Sequence, residues 1–170
     1  MLLTGTFQRS LDEKHRFSIP KSIRDALQDA AGNLVVYLAP GTDRSLVVYT
    51  EQAFAELGNQ LGQGPPTAGD VRAFSRLFYA QAQRVEVDRQ GRVRIPAELV
   101  GLAHLDKEVV LLGVRDHLEI WDREHWDHYL NQKQPYYDEI AESAFGGSAA
   151  PVTGVVDARP PQSSSSPRPR

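Results

Sequence analysis

The stretch Leu11–Pro20, LDEKHRFSIP, returns later in the chain as Val87–Pro96, VDRQGRVRIP, with Asp, Arg, Ile and Pro each displaced by the same 76 residues. A repeat of that length in only two copies points to a pseudo-twofold pair of similar units, unlike the many short units of a solenoid. The likeness continues past the motif. Leu34–Leu38 is answered by Val109–Leu112, Leu46–Tyr49 by Leu118–Trp121, and Phe54 by Trp126, where the displacement has shrunk to 72. The second copy has therefore lost residues from its loops and kept its elements.

At 170 residues and 41% hydrophobic, such a chain buries one moderate core or two small halves that share one. No run of 18 apolar residues suggests a membrane span, and no charged n-region precedes an apolar h-region, so a cytoplasmic location is expected. The absence of cysteine excludes disulfides, thiolate metal sites and cysteine nucleophiles. A net charge of −3 argues against nucleic acid only on average. Residues 1–24 carry five basic groups against two acidic, and residues 72–94 carry six against two. Positive charge gathers on the two motif regions.

In the second copy Val85, Val87, Val93 and Ile95 alternate with Arg84, Glu86, Arg92 and Arg94, a pattern that predicts a two-stranded ribbon with a basic outer face. The first copy repeats the returning strand, with Phe17 and Ile19 inward and Arg16 and Ser18 outward. Arg16 and Arg92 then share one geometric role. Asp12 and Asp88 open the connecting turns, where a carboxylate accepts backbone amides two residues on. Gly91 takes positive φ without strain, and His15, at the matching position, is among the residues found there more often than most. Pro20 and Pro96 end the strands and suit the start of helices over Ser22–Ala30 and Ala97–Leu102.

Two apolar strands follow in each copy, 34–39 with 45–50 and 108–112 with 117–121, joined by turns holding Gly41–Asp43 and Gly113. Thr50 and Asp122 are placed to cap the next helices. Gly58–Gly69 reads as an inter-repeat linker, and Asp70 as the cap of a helix to about Gln83. Its Val71, Phe74, Leu77 and Phe78 have core spacing. From Gly146 onward the composition is that of a disordered, solubilising tail, with its two last arginines as candidate phosphate contacts.

The double Asp-x-x-x-Arg motif, each copy followed by Ile-Pro and a short helix, resembles the MraZ family of bacterial transcriptional regulators, whose halves are similar to AbrB/SpoVT-type swapped-hairpin domains. The resemblance covers residues 1 to about 145. It implies an α+β fold of tandem AbrB-like β-hairpin/helix units forming a pseudo-twofold swapped-hairpin β-barrel with flanking helices. It divides the chain into an AbrB-like domain at 5–50, a helix, linker and connecting helix at 51–81, a second AbrB-like domain at 82–125, a helical segment at 126–145 and the tail at 146–170. It also implies a homo-oligomer, in ring form, that binds double-stranded DNA at short promoter repeats near the nucleoid and represses its own division and cell-wall gene cluster. No cofactor and no membrane partner is implied. His15 stands where the family has Gly, which leaves open a distorted first turn or a second use of His15 as a phosphate donor.

The residues assigned to DNA are Arg16 and Arg92, whose forks suit a guanine edge or a phosphate, with Lys14, His15, Arg89 and Arg94 as flanking contacts. Asp12, Asp88 and Gly91 hold and orient the turns. The duller explanation is a pair of surface ion pairs that pin two hairpins. An enzyme finds little support. The best cluster is Asp116, His117, Asp122, Glu124, His125, Asp127 and His128, in which His125 and His128, three apart on a helix, are placed to share a metal but lack the His-Glu-x-x-His order. Neither a nucleophile elbow nor a phosphate loop is present. The remaining alternative is an oligomeric scaffold that binds protein and not DNA.

Overall fold

The computed structural model describes residues 2–28, 34–62 and 69–146. They fall into two compact units, divided between Gln132 and Lys133. The first unit is α+β. Its strands are β1 (Thr6–Ser10), β2 (Arg16–Ser18), β3 (Val35–Pro40), β4 (Leu46–Thr50), β5 (Gln83–Glu86), β6 (Arg92–Arg94), β7 (Glu108–Val114) and β8 (His117–Asp122), and its helices are α1 (Lys21–Leu27), α2 (Glu51–Gly62), α3 (Gly69–Gln81), α4 (Ala97–Leu102) and all but the last residue of α5 (Arg123–Lys133). In the second unit a short 3-10 turn, Gln134–Tyr136, leads into α6 (Tyr137–Gly146), on which Ile140 and Phe145 are exposed.

Six strands make one antiparallel sheet in the order β1-β7-β8-β4-β3-β5. The order is palindromic: each repeat contributes three strands, and the mirror point is the β4–β8 pair, where Val47 lies opposite Glu119. The sheet is open, ending on β1 and β5. The two motif strands form a separate ladder, β2 with β6, that pairs Arg16 with Arg94, Phe17 with Val93 and Ser18 with Arg92. Phe17 and Val93 are 76 residues apart, so this ladder too is centred on a pseudo-twofold axis.

The ribbon expected within each copy does not form. β5 runs along β3, with Val36 opposite Val85, and β6 turns away to pair with β2. An isolated two-stranded ribbon is marginal in water. Splitting the strands between two ladders lets Val93 and Ile95 become fully buried and packs Val85 and Val87 against the same core. That core lies on one sheet face, between the sheet and the layer of β2, β6, α1 and α4, and includes Phe17, Ile19, Ile23, Leu38, Leu99, Leu111 and Ile120.

The other sheet face carries two smaller clusters. Phe78 of α3 and Phe54 of α2 pack on Ala39, Val47 and Tyr49, while Trp126 and Tyr129 of α5 pack on Val110, Leu112 and Trp121. Thr50 and Asp122 cap the helices that cover this face, Thr50 Oγ1 accepting from Ala53 N at 3.1 Å and Asp122 Oδ1 from His125 N at 3.2 Å. Several expectations need correcting. α1 stops at Leu27, since Gln28 is extended, while residues 29–33 lie outside the described residues. Gly58–Gly62 belongs to α2 and Gly69 to α3, so only 63–68 remain between them, also outside the description. On α3 only Phe78 is buried; Phe74 and Leu77 are 46% and 64% exposed. The tail after Gly146 lies outside the described residues as well.

Candidate nucleic-acid interface

Each motif aspartate organises its turn by the same set of hydrogen bonds. In the first, the amides of Lys14 and Arg16 donate to Asp12 Oδ1, both at 2.9 Å, and Arg16 Nε donates to Oδ2 at 2.7 Å. In the second, the amides of Gln90 and Arg92 donate to Asp88 Oδ1 at 2.9 Å, and Arg92 Nε to Oδ2 at 2.8 Å. The backbone closes both loops, with Asp12 N on Arg16 O at 3.0 Å and Asp88 N on Arg92 O at 2.9 Å. A short acidic side chain at the turn's first position does this because it reaches the amides two and four residues on.

Such donors favour the ionised carboxylate. The Arg16 amide is the largest cause that holds Asp12 down to about 2, and the Arg92 amide lowers Asp88 in the same way. Both ion pairs are about one-third exposed, where water screens attraction, so their effect on stability is small. Their geometric effect is larger. With Nε fixed on the aspartate, the two Nη groups of each arginine, which make no other hydrogen bond among the described residues, are held as an oriented fork.

His15 and Gly91 occupy the left-handed region at φ 56° and 76°. The reason lies across the repeat boundary: His15 O accepts from Ile95 N and Gly91 O from Ile19 N, both at 2.9 Å. Each turn is thereby clamped to the strand end of the other copy. His15 adopts the glycine conformation without distorting the turn. Lys14, Arg89 and Arg94 are exposed, Arg94 across the ladder from Arg16. The assigned residues thus gather along one ribbon and the turns at its two ends.

Two further arginines stand beside the second turn. Arg9 on β1 donates Nε to Ser18 O at 2.9 Å and Nη1 to Gln8 O at 2.7 Å, and Ser18 faces Arg92 in the ladder. The Arg24 guanidinium lies where a side chain at Gly91 would begin. Both count in the basic excess of the sequence, but neither lies in the repeated motif, and the Arg24 contact crosses from one repeat to the other.

The metal candidate is otherwise engaged. His125 Nε2 donates to Asp43 O at 2.8 Å, its Nδ1 accepts from Arg44 Nη2 at 3.2 Å, and its ring stacks on Trp121. It braces the β3–β4 turn, whose Asp43 and Arg44 both have positive φ. His128 is exposed, and among the described residues no group of three or more potential ligands is positioned to hold a metal ion.

The family model described as "MraZ protein, putative antitoxin-like" matches residues 78–146, the second repeat with its flanking helices. Similar proteins include one from Desulforamulus reducens, 37% identical over 142 residues that make up 84% of this chain and 96% of that one. Another, from Pelotomaculum thermopropionicum, is 40% identical over 83% of this chain and 94% of its own. A third, from Mesoplasma florum, is 35% identical over 86% and 98%. Each bears the name transcriptional regulator MraZ. With identities of this level along nearly the whole of those proteins, the chain belongs to the MraZ family.

Proposed function

We propose that the protein is a sequence-specific, DNA-binding transcriptional regulator and not an enzyme, acting as a homo-oligomer on short repeats in double-stranded promoter DNA. The observation that carries this reading is the pair of equivalent turns, each presenting an arginine fork fixed by its own aspartate at one end of a cross-repeat ribbon. A narrow ribbon of this kind enters a major groove, and an oriented fork reads guanine or grips phosphate. The regulator names of the relatives support the same direction.

The cross-repeat pairing of β2 with β6 supports reading residues 5–50 and 82–125 as the two halves of an AbrB-like swapped-hairpin barrel, with 51–81 and 126–145 as flanking helical segments. One ribbon neutralises few phosphates, so several joined copies gain through effective concentration when operator repeats match their spacing. The exposed Phe74 and Leu77 are apolar surface available for such contacts. Repression of the protein's own division and cell-wall cluster, a ring assembly and a cytoplasmic, nucleoid-associated location follow from the family resemblance; among the described residues no helix is long and apolar enough to cross a membrane.

The test is fluorescence anisotropy with the gene's upstream duplex and a scrambled duplex at several salt concentrations. The wild type is expected to prefer the upstream duplex. Arg16→Ala and Arg92→Ala, each with an unchanged melting curve, should each lose about 1–3 kcal/mol of discrimination, and together abolish it. Equal, weak binding of both duplexes by wild type and variants would replace this reading with that of a protein-binding scaffold.

A further inference from the structure

The two ends of the ribbon are equivalent in backbone and unequal in charge. Beside the first turn stand Lys14, Arg16 and Arg94 with Asp12 and Glu13, net +1. Beside the second stand Arg89, Arg92, Arg9 and Arg24 with Asp88, net +3. The excess comes from the other repeat, because 76 residues on from Arg9 and Arg24 the chain has Val85 and Val100, both packed against the core.

We infer that Arg9 and Arg24 of the first repeat are phosphate-binding residues of the second turn, making that turn the principal DNA-gripping end of the ribbon. This rests on the DNA-binding reading above. Arg9 is held by its Nε and Nη1 bonds, which leave Nη2 for a phosphate oxygen. Arg24 projects from α1 over Gly91, where the lack of a Cβ makes room for it. It shares with Asp88 and Arg89 the wall of a groove of about 1160 Å³ between α1, the start of α2 and β5, a groove lined also by Arg84, Glu51 and Glu86. Arg24 and Arg89 therefore share one wall, and Arg92 stands in the same turn as Arg89. An extended phosphate backbone is the anion such an arrangement fits, since its charges recur at intervals, and arginine suits phosphate because its planar fork donates two parallel hydrogen bonds.

The experiment measures the affinity of the full chain for its upstream duplex against salt, for wild type, Arg9→Gln/Arg24→Ala, Arg9→Lys/Arg24→Lys, and Arg115→Ala as a charge control. Arg115 bridges to Leu3 at the end of the β1–β7 ladder away from the turns. Each lost phosphate contact makes the slope of log K against log salt shallower by about 0.9. The Gln/Ala pair should lose about twice that, the Lys pair should restore it, and Arg115→Ala should keep the wild-type slope. Should the pair fail to melt cooperatively, Arg24→Ala alone is read, with about 0.9 expected. A wild-type slope in the Gln/Ala pair overturns the inference and leaves the DNA-binding reading standing. A wild type without salt-dependent binding overturns both.

Discussion

The turns Asp12–Arg16 and Asp88–Arg92 make the same hydrogen bonds, yet Glu13 corresponds to Arg89, Lys14 to Gln90 and His15 to Gly91. What the repeats keep is whatever orients an arginine fork: the aspartate, the arginine, the left-handed residue and the apolar residue that follows. What they vary is the outward chemistry. The shared set is tied together by geometry, because each left-handed carbonyl bonds the other repeat, so one copy's turn cannot relax without the other's strand. Chemistry at the tips is free of that constraint, which is how one duplicated unit yields two unequal ends.

The sharpest way to break this comparison is at its centre, where Phe17 and Val93 face each other and are 2% and 0% exposed. Phe17→Ala should cost about 3–5 kcal/mol. Val93→Ala removes less volume from the same place and should cost about 1.5–3 kcal/mol. Urea melts would read both values. A negligible loss at either residue would mean that the cross-repeat ladder is not seated on the core, and the argument for clamped turns would fall with it.

The left-handed pair gives a smaller and more asymmetric effect. Gly91→Ala forces a Cβ into φ 76° and into the Arg24 guanidinium, and should destabilise by about 1–2 kcal/mol. His15→Gly relieves the first turn's backbone but enlarges the freedom of the unfolded chain, and the two effects nearly cancel, to within about 1 kcal/mol. Equal tolerance at the two positions would show that the second turn does not depend on its glycine.

These contrasts also show which levels of the fold are legible in the residues. The Asx turns, the helix caps at Thr50 and Asp122 and the apolar strands are local, set by groups within a few residues, and they stand where spacing placed them. Pairing is a different matter. The alternation at 84–87 marks a strand with one buried parity but does not name its neighbour, and β5 goes to β3 and not to β6. Helical spacing placed Val71, Phe74, Leu77 and Phe78 on one stripe, while only Phe78 is buried, packed with Ala39 and Val47. The forks of Arg16 and Arg92 were readable because each is fixed by its own turn. Arg9 and Arg24 were not, since Arg24 meets the turn of the other repeat and Arg9 is held through Ser18, whose place opposite Arg92 is set by cross-repeat pairing.

The smallest expected effect tests the repeats on the sheet's other face. Beside the mirror point the first repeat has Ser45, buried, with Oγ donating to Thr42 O at 2.8 Å. Seventy-two residues on, the second has His117, between Asp116 Oδ1 at 3.0 Å from its Nδ1 and Glu119 Oε1 at 3.6 Å from its Nε2. Glu119 is the largest cause that raises the imidazole above its ordinary value, with Asp116 adding to it and burial opposing. Glu119 itself is lowered by His117 and by Trp121 Nε1, which donates to it at 2.8 Å. A group that binds its proton more tightly when folded stabilises fully below its unfolded pKa of about 6.5, and that contribution fades as pH rises through the folded value. Wild-type Tm should therefore fall as pH rises from 6.5 through that range. His117→Ser, which gives the second repeat the residue of the first, should flatten the fall, and Glu119→Val, which copies Val47, should reduce it. A wild-type fall that persists undiminished in both variants would place the titrating group elsewhere, and the polar contact at the mirror point would then carry no protonation-linked stability.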